Sequence, residues 1–308
     1  MTDPRYGLPE TIALIDDLHL GCSQVVGTYV MLGDDPVIVD PGPASVLPNL
    51  EAGLKQIGLS FSDLHGIVLS HIHLDHAGAT GSLVRYFPHL KVYVHHRGAP
   101  HMIAPDKLLR SATRIYGGQM DYLWGEFLPV PVDNIVTLGG GETLRIGGRA
   151  LRVFDAPGHA AHHLIYFDES IGAAFVGDTT GLRMPGHTYV RPATPPPDID
   201  LEAWRRTLDM LLSLNPRMLL LTHFGPAHDP ERHIADMWDH VLRWAETVRV
   251  SLERGEEESA AEARLVALAD ADLGDVDEAM RRQYAQAGAV EMSWHGLARY
   301  WRKRMEAS

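Results

Sequence analysis

Apolar and β-branched positions cluster in short runs at residues 11–15, 25–32 and 37–40. Gly33-Asp34-Asp35-Pro36 and Pro41-Gly42-Pro43 punctuate them. Such runs predict strands, and the Gly/Pro clusters predict the turns between them. Residues 47–57 carry a weak helical period that stops near Gly58. A buried-type strand over 67–70, a helix over 78–86 and a strand over 91–95 follow. Strands are predicted again at 134–138, 143–146 and 151–156, then at 164–167 and 173–176 around Asp168-Glu169-Ser170. A helix over 201–214, with Asp200 as N-cap, precedes a last buried strand at 218–221. Beyond Pro230 the period is helical throughout, over 231–253, 259–272, 275–287 and 290–305.

The order is strands mixed with a few helices, then helices alone. It predicts an α/β (α+β) protein in which two sheets are each covered by helices on the outer face. The glycine-linked runs at 11–40 and 134–156 read as antiparallel hairpins, which argues against one doubly wound sheet. Gly139-Gly140-Gly141 sits between strands and opens no helix, so it is not a phosphate loop. Residues 1–230 are expected to form a catalytic domain, and 231–308 a helical C-terminal extension. Residues 97–131, rich in Met, Tyr, Leu and Trp, interrupt the rhythm and are a candidate lid.

Charge and composition narrow the function classes. The 308-residue chain carries a formal charge of −13, which opposes non-specific binding to nucleic acid or an anionic membrane surface. Its apolar runs fall far short of the ~20 residues that span a bilayer. The N-terminal MTDPRYGLPE has no basic-then-apolar leader pattern, so a cytoplasmic address is expected. The single cysteine, Cys22, leaves no disulfide framework and no thiolate metal knuckle. Histidine is abundant, at 18 residues, and needs an explanation.

The run His71-Ile72-His73-Leu74-Asp75-His76 supplies it. In an extended segment, alternate residues share a side, so His71 and His73 can reach one ion. Asp75 and His76 come where the chain turns into a helix. Three later residues also come at the ends of predicted strands: His159, Asp178 and His223. The expected arrangement has His71, His73 and His159 on a first ion, with Asp75, His76 and His223 on a second. Asp178 bridges. Imidazole and carboxylate suit zinc best here, with iron or manganese as alternatives. Two such ions leave the site positive, able to acidify a bridging water to hydroxide and to stabilise an oxyanion. Asp75 is the candidate catalytic residue, orienting the attacking hydroxide and taking its proton.

These motifs resemble the metallo-β-lactamase-fold hydrolase superfamily. The His71–His76 run is similar to its signature, and Gly158-His159, Gly177-Asp178 and Thr222-His223 to its later ligand positions. The resemblance implies a four-layer αββα sandwich over about residues 12–228, with a dinuclear site at one edge. A bridging Asp178 resembles the glyoxalase II-like and lactonase-like branches. The stretch Pro157-Gly158-His159-Ala160-Ala161-His162-His163 keeps only His163 as the trailing histidine of glyoxalase II, in a supporting role. His223 precedes Phe224-Gly225 rather than the Glu-Tyr of that enzyme, and the glutathione-binding Asn-Pro-Phe-x-Arg pattern is absent from the sequence.

The expected activity is hydrolysis of a small ester-like bond (lactone, thiolester or carboxylic ester) in a small-molecule substrate. Three alternatives are a phosphodiesterase acting on a small nucleotide or lipid head group, an iron-dependent sulfur dioxygenase, and a non-catalytic metal-binding assembly protein. Tyr116, Tyr122, Trp124 and Phe127 are candidates for covering an apolar substrate portion, and His187 and Tyr189 for the mouth of the site. Trp294, Leu297, Tyr300 and Trp301 form an apolar helix face that reads as core packing, with a homodimer surface as the alternative.

Overall fold

A computed structural model describes residues 6–307. Residues 1–5, which begin the stretch read above for a leader, and Ser308 at the end of the C-terminal segment lie outside the described residues. The alternating segments form two six-stranded sheets. The first contains β1 (Ile12–Asp16), β2 (Gly27–Met31), β3 (Val37–Val39), β4 (Gly66–Val68), β5 (Lys91–His95) and β6 (Ile135–Leu138), in that spatial order. The second contains β7 (Thr143–Ile146), β8 (Arg149–Asp155), β9 (Leu164–Asp168), β10 (Ala173–Gly177), β11 (Met218–Leu221) and β12 (Gly225–Ala227), also in order. β3 to β6 run parallel, as do β10 and β11, and the other neighbours are antiparallel.

A period of two sorts each strand between two cores. Tyr29, Met31, Val37, Val39, Leu151, Val153, Ala173 and Phe175 meet between the sheets. Their neighbours Val30 and Ile38 face outward, into a cluster shared with α1 (Leu47–Gln56), α3 (Thr80–Tyr86), α4 (Ala99–Ile103) and α5 (Asp106–Tyr116). Ala174, Val176, Leu219 and Leu221 face the other way, onto α7 (Leu201–Ser213), α8 (Pro230–Glu253), α9 (Glu258–Leu273) and α11 (Val290–Ala307). The result is the αββα sandwich with its helical C-terminal region. The short α2 (Leu74–Ala77), α6 (Met120–Trp124) and α10 (Glu278–Ala287) lie near its edge. Asp200 caps α7 as expected, its carboxylate accepting from the Ala203 amide at 2.9 Å. Among the described residues, no helix is long and apolar enough to cross a membrane.

Three expectations change. The 134–146 pair is not a hairpin: β6 belongs to the first sheet and β7 to the second, and the triple glycine carries the chain across. Gly140 is needed there because its φ is +92° and a Cβ would collide with the Asp155 backbone. The helix predicted over 78–86 starts at Thr80, since α2 forms a separate turn before it. β12 escaped notice because it is three residues long and contains Pro226, which suits only an edge strand. Trp294, Leu297 and Tyr300 are buried in the chain's own outer core, the packing reading of that helix face.

His233 on α8 is buried and donates to the Thr180 carbonyl at 2.9 Å. Burial, reinforced by the Arg183 guanidinium, pushes its pKa down to about 3. Unfolded histidine titrates near 6.5. The neutral ring therefore adds stability that is complete above pH 6.5 and is lost as pH falls towards 3, at up to ~1.4 kcal/mol per pH unit. His233→Gln, which retains a donor, should reduce the slope of stability against pH by about one proton between pH 6 and 4. Denaturant unfolding at several pH values checks this, and an unchanged slope would refute it.

Candidate metal centre

β3, β4, β8, β10 and β11 all carry their C-terminal ends to one edge of the sandwich. Past β4, extended chain carries His71 and His73, and α2 then presents Asp75 and His76. His159 follows β8, Asp178 follows β10 directly, and His223 lies two residues beyond β11. All seven side chains converge. His71, His73, His159 and Asp178 form one group and Asp75, His76 and His223 a second, the ligand atoms within each group lying within 4.8 Å of one another.

The spacing fits shared ions. Two imidazole nitrogens bound at about 2.0–2.1 Å to one tetrahedral ion would stand ~3.3 Å apart. His71 Nε2 and His159 Nε2 lie 2.9 and 3.1 Å from His73 Nδ1. Asp178 Oδ2 faces His159 Nε2 at 3.5 Å. Its Oδ1 faces His76 Nε2 at 3.2 Å and His223 Nε2 at 3.5 Å. Asp75 Oδ2 is 3.4 Å from His223 Nε2 and 3.9 Å from His76 Nε2. One carboxylate thus turns an oxygen towards each group. His76 Nε2, His223 Nε2 and Asp178 Oδ1 are buried without a hydrogen-bond partner, which is costly unless an ion satisfies them.

The outer nitrogens fix the tautomers. His159 Nδ1–H donates to the Ala193 carbonyl at 2.8 Å, and His223 Nδ1–H to the Val25 carbonyl at 2.6 Å. His76 Nδ1–H donates to Asp40 at 2.9 Å. Ser70 Oγ–H is committed to Asp40 Oδ2 at 2.6 Å, so its oxygen accepts from His71 Nδ1–H at 3.0 Å. Four rings therefore aim Nε2 inward. His73 alone uses Nδ1.

Burial holds His71, His73 and His159 below the usual histidine range, His73 down to about 3, and neighbouring imidazoles add to this for all three. These rings are neutral and keep their lone pairs. Burial also disfavours charge on His76 and His223, but Asp178 and Asp75 outweigh it and raise both. In the same way, His76 and His223 overcome burial and hold Asp75 and Asp178 below the carboxylate range. Without ions, the two carboxylates favour protonation of His76 and His223. Ion binding requires the neutral rings and so opposes that protonation.

Sequence reasoning missed Asp40. It is buried at the end of β3 with φ +50° and accepts from Ser70 N (2.7 Å), Ser70 Oγ, His76 Nδ1 and Thr222 Oγ1 (3.0 Å). It ties three of the site's chain segments together. An acid closing the apolar strand and preceding Pro41 was the available signal. His163 is buried beside His71 and accepts from the Asp178 amide at 3.3 Å. Gly177 leaves the space these groups need: a Cβ there would strike Ser70 and His163.

His73, Asp75 and Asp178 floor a cavity of about 340 Å³. Tyr116 and Trp124 line it, as expected. Tyr122 is 67% exposed elsewhere, and Phe127 is buried in the first sheet's outer core. Tyr189 is buried against Tyr284, away from the cavity, and His187 lines a separate cleft with Tyr6 and Arg183. Both were expected at the mouth. The stretch before them leaves β10 but turns back to pair Leu182 with Arg191. His19, not anticipated, reaches the cavity with its Nε2 2.8 Å from the Leu123 carbonyl.

An αββα sandwich with a histidine–aspartate cluster at the strand ends defines a class of metal-binding proteins, most of them hydrolases. The chain belongs to the metallo-β-lactamase superfamily, whose family model matches residues 20–223. A metallo-β-lactamase fold-containing protein of Sulfurisphaera tokodaii is 29% identical over 209 residues, covering 66% of this chain and 74% of that protein. The hydroxyacylglutathione hydrolase of Aeromonas hydrophila is 28% identical over 143 residues, and the match spans 46% of this chain and 41% of that enzyme. An archaeal metallo-β-lactamase superfamily structure from Sulfolobus tokodaii superposes with a TM-score of 0.69 at 22% identity. It covers 94% of this chain and 99% of that one, C-terminal helices included.

Proposed function

We propose that this protein is a dinuclear metal-dependent hydrolase acting on a small carbonyl ester-like bond: a lactone, thiolester or carboxylic ester. The observation that carries this reading is Asp178, whose two oxygens face two separate ligand groups at the floor of one cavity. His71, His73 and His159 would hold one divalent ion and Asp75, His76 and His223 the other, with zinc the best match to the donor set. Ions bound there would supply a water of lowered pKa, from about 15.7 towards 7, and a Lewis acid for a carbonyl oxygen. The partial match to a hydroxyacylglutathione hydrolase supports carbonyl chemistry.

The chain's own residues do the rest. Asp40, Ser70 and the Ala193 and Val25 carbonyls keep the imidazoles in the required tautomers and orientation. Asp75 turns Oδ2 to His223, and its side chain, 23% exposed, reaches the cavity. Its other oxygen orients the attacking water and accepts its proton.

Asp75→Asn keeps the shape and removes the base. Turnover of a simple ester should fall ~10²-fold, with the metal content measured alongside. Near-normal turnover with both ions bound would remove Asp75 from this role.

A further inference from the structure

The cavity above the metal centre is closed on two sides by parts of the chain far apart in sequence. One wall is α5 and α6, through Leu108, Ala112, Ile115 and Trp124. The facing wall is the α10–α11 junction, through Gly288, Ala289 and Met292, with Pro195–Pro197 between them. Among the described lining residues there is no lysine, arginine or glutamate. The only carboxylates, Asp75 and Asp178, belong to the ligand groups. The walls carry uncharged polar groups on His19, Ser111, Tyr116, Trp124, Gln286, Thr194 and Ser293. Behind these walls, Arg299 Nε donates to the Pro197 carbonyl at 3.3 Å, and the buried Arg191 is also occupied. It donates to the Tyr284 and Gly288 carbonyls at 2.9 and 3.1 Å.

Away from the metal-ligand floor, an anionic group held between these walls would leave water and meet no counter-charge, at a large desolvation cost. An alkyl chain would exchange water for Leu, Ile, Ala, Met and Trp surface. The ~30 Å³ share of one water-sized group gives room for about eleven such groups, in keeping with the cavity's 340 Å³. From this geometry we infer that the substrate presents an uncharged, apolar acyl chain, of medium length, to the α5–α6 and α10–α11 walls. Acyl groups that carry a free carboxylate are excluded on the same ground. This assignment rests on the hydrolase reading above and narrows it to a substrate class.

Two measurements test it separately from that reading. The first is kcat/KM of the metal-replete enzyme on neutral n-acyl esters of one alcohol, from about two to ten acyl carbons. It is compared with half-esters of dicarboxylic acids of equal length. The expected result is a rise of about threefold per methylene, levelling off when the cavity is full, with the half-esters at least about tenfold poorer. In Ile115→Lys, at a position 39% exposed and tolerant of a cation, the half-ester should gain at least about tenfold relative to the neutral ester. The second is calorimetric titration with neutral n-alkyl ketones, which need no turnover. Affinity should climb with chain length in the same way. Length-independent ketone binding, or a wild-type preference for the half-ester, overturns the inference. Length-dependent ketone binding with no ester turnover at full metal content supports the apolar pocket and defeats the hydrolase reading instead.

Discussion

Asp178→Asn is expected to lower kcat/KM on any ester substrate by at least about 10³-fold and to reduce the number of ions held per chain. The substitution changes little in volume, but it exchanges a carboxylate that faces both ligand groups for a neutral amide. His76 lies 3.2 Å and His223 3.5 Å from Oδ1, so both lose their nearest common counter-charge. His159 loses the oxygen 3.5 Å away. Effects at groups that act as a unit do not add, so combining this change with Asp75→Asn should cost little more than Asp178→Asn alone. Steady-state kinetics on the single and double variants, with ions counted in each, check the result. A single variant with intact metal content and turnover within about tenfold of wild type would show that Asp178 does not join the two groups.

Asp40→Ala should produce the largest loss of stability among changes near the site, about 3–5 kcal/mol. Asp40 is buried, and four donors converge on it: Ser70 N, Ser70 Oγ, His76 Nδ1 and Thr222 Oγ1. Alanine leaves all four without their acceptor, and an unsatisfied buried group costs ~1–3 kcal/mol. Water entering the vacated space recovers part of that. The same change frees His76 to rotate and unlocks the Ser70–His71 contact, so affinity for divalent ions should fall about 10–100-fold. Asp40→Asn retains one acceptor oxygen and should be less destabilising while still weakening metal binding. Denaturant unfolding of the metal-free proteins separates the structural loss from the loss of ligand orientation. Unchanged unfolding together with unchanged metal competition in Asp40→Ala would contradict the role given to Asp40.

The seven converging residues were legible because four of them crowd into six positions after an apolar strand, where no packing argument explains them. The other three were legible because each follows a strand in the same manner. Asp40 was not. Nothing local links it to His76; the link appears only when β3 and β4 pair in parallel and bring their ends together. The strand alternation fixed which residues meet between the sheets, but a glycine turn serves a hairpin and a crossing between sheets equally well. That is why β6 and β7 were misjoined. The wall formed by the α10–α11 junction was hidden for a related reason. Nothing local marks Gly288 and Met292, which reach the cavity only through the packing of α11 against α8 and α9. Tyr189 illustrates the opposite error. Closeness in sequence to Asp178 suggested the site, yet the chain reverses through the Leu182–Arg191 bridge and buries the ring on Tyr284.

The most direct test of the account is to count ions by elemental analysis of protein purified without chelators and supplied with divalent metal, and to place them by anomalous scattering. Two ions per chain are predicted, one among His71, His73 and His159 and one among Asp75, His76 and His223, with Asp178 between them. A folded chain holding no ion at these side chains would contradict it.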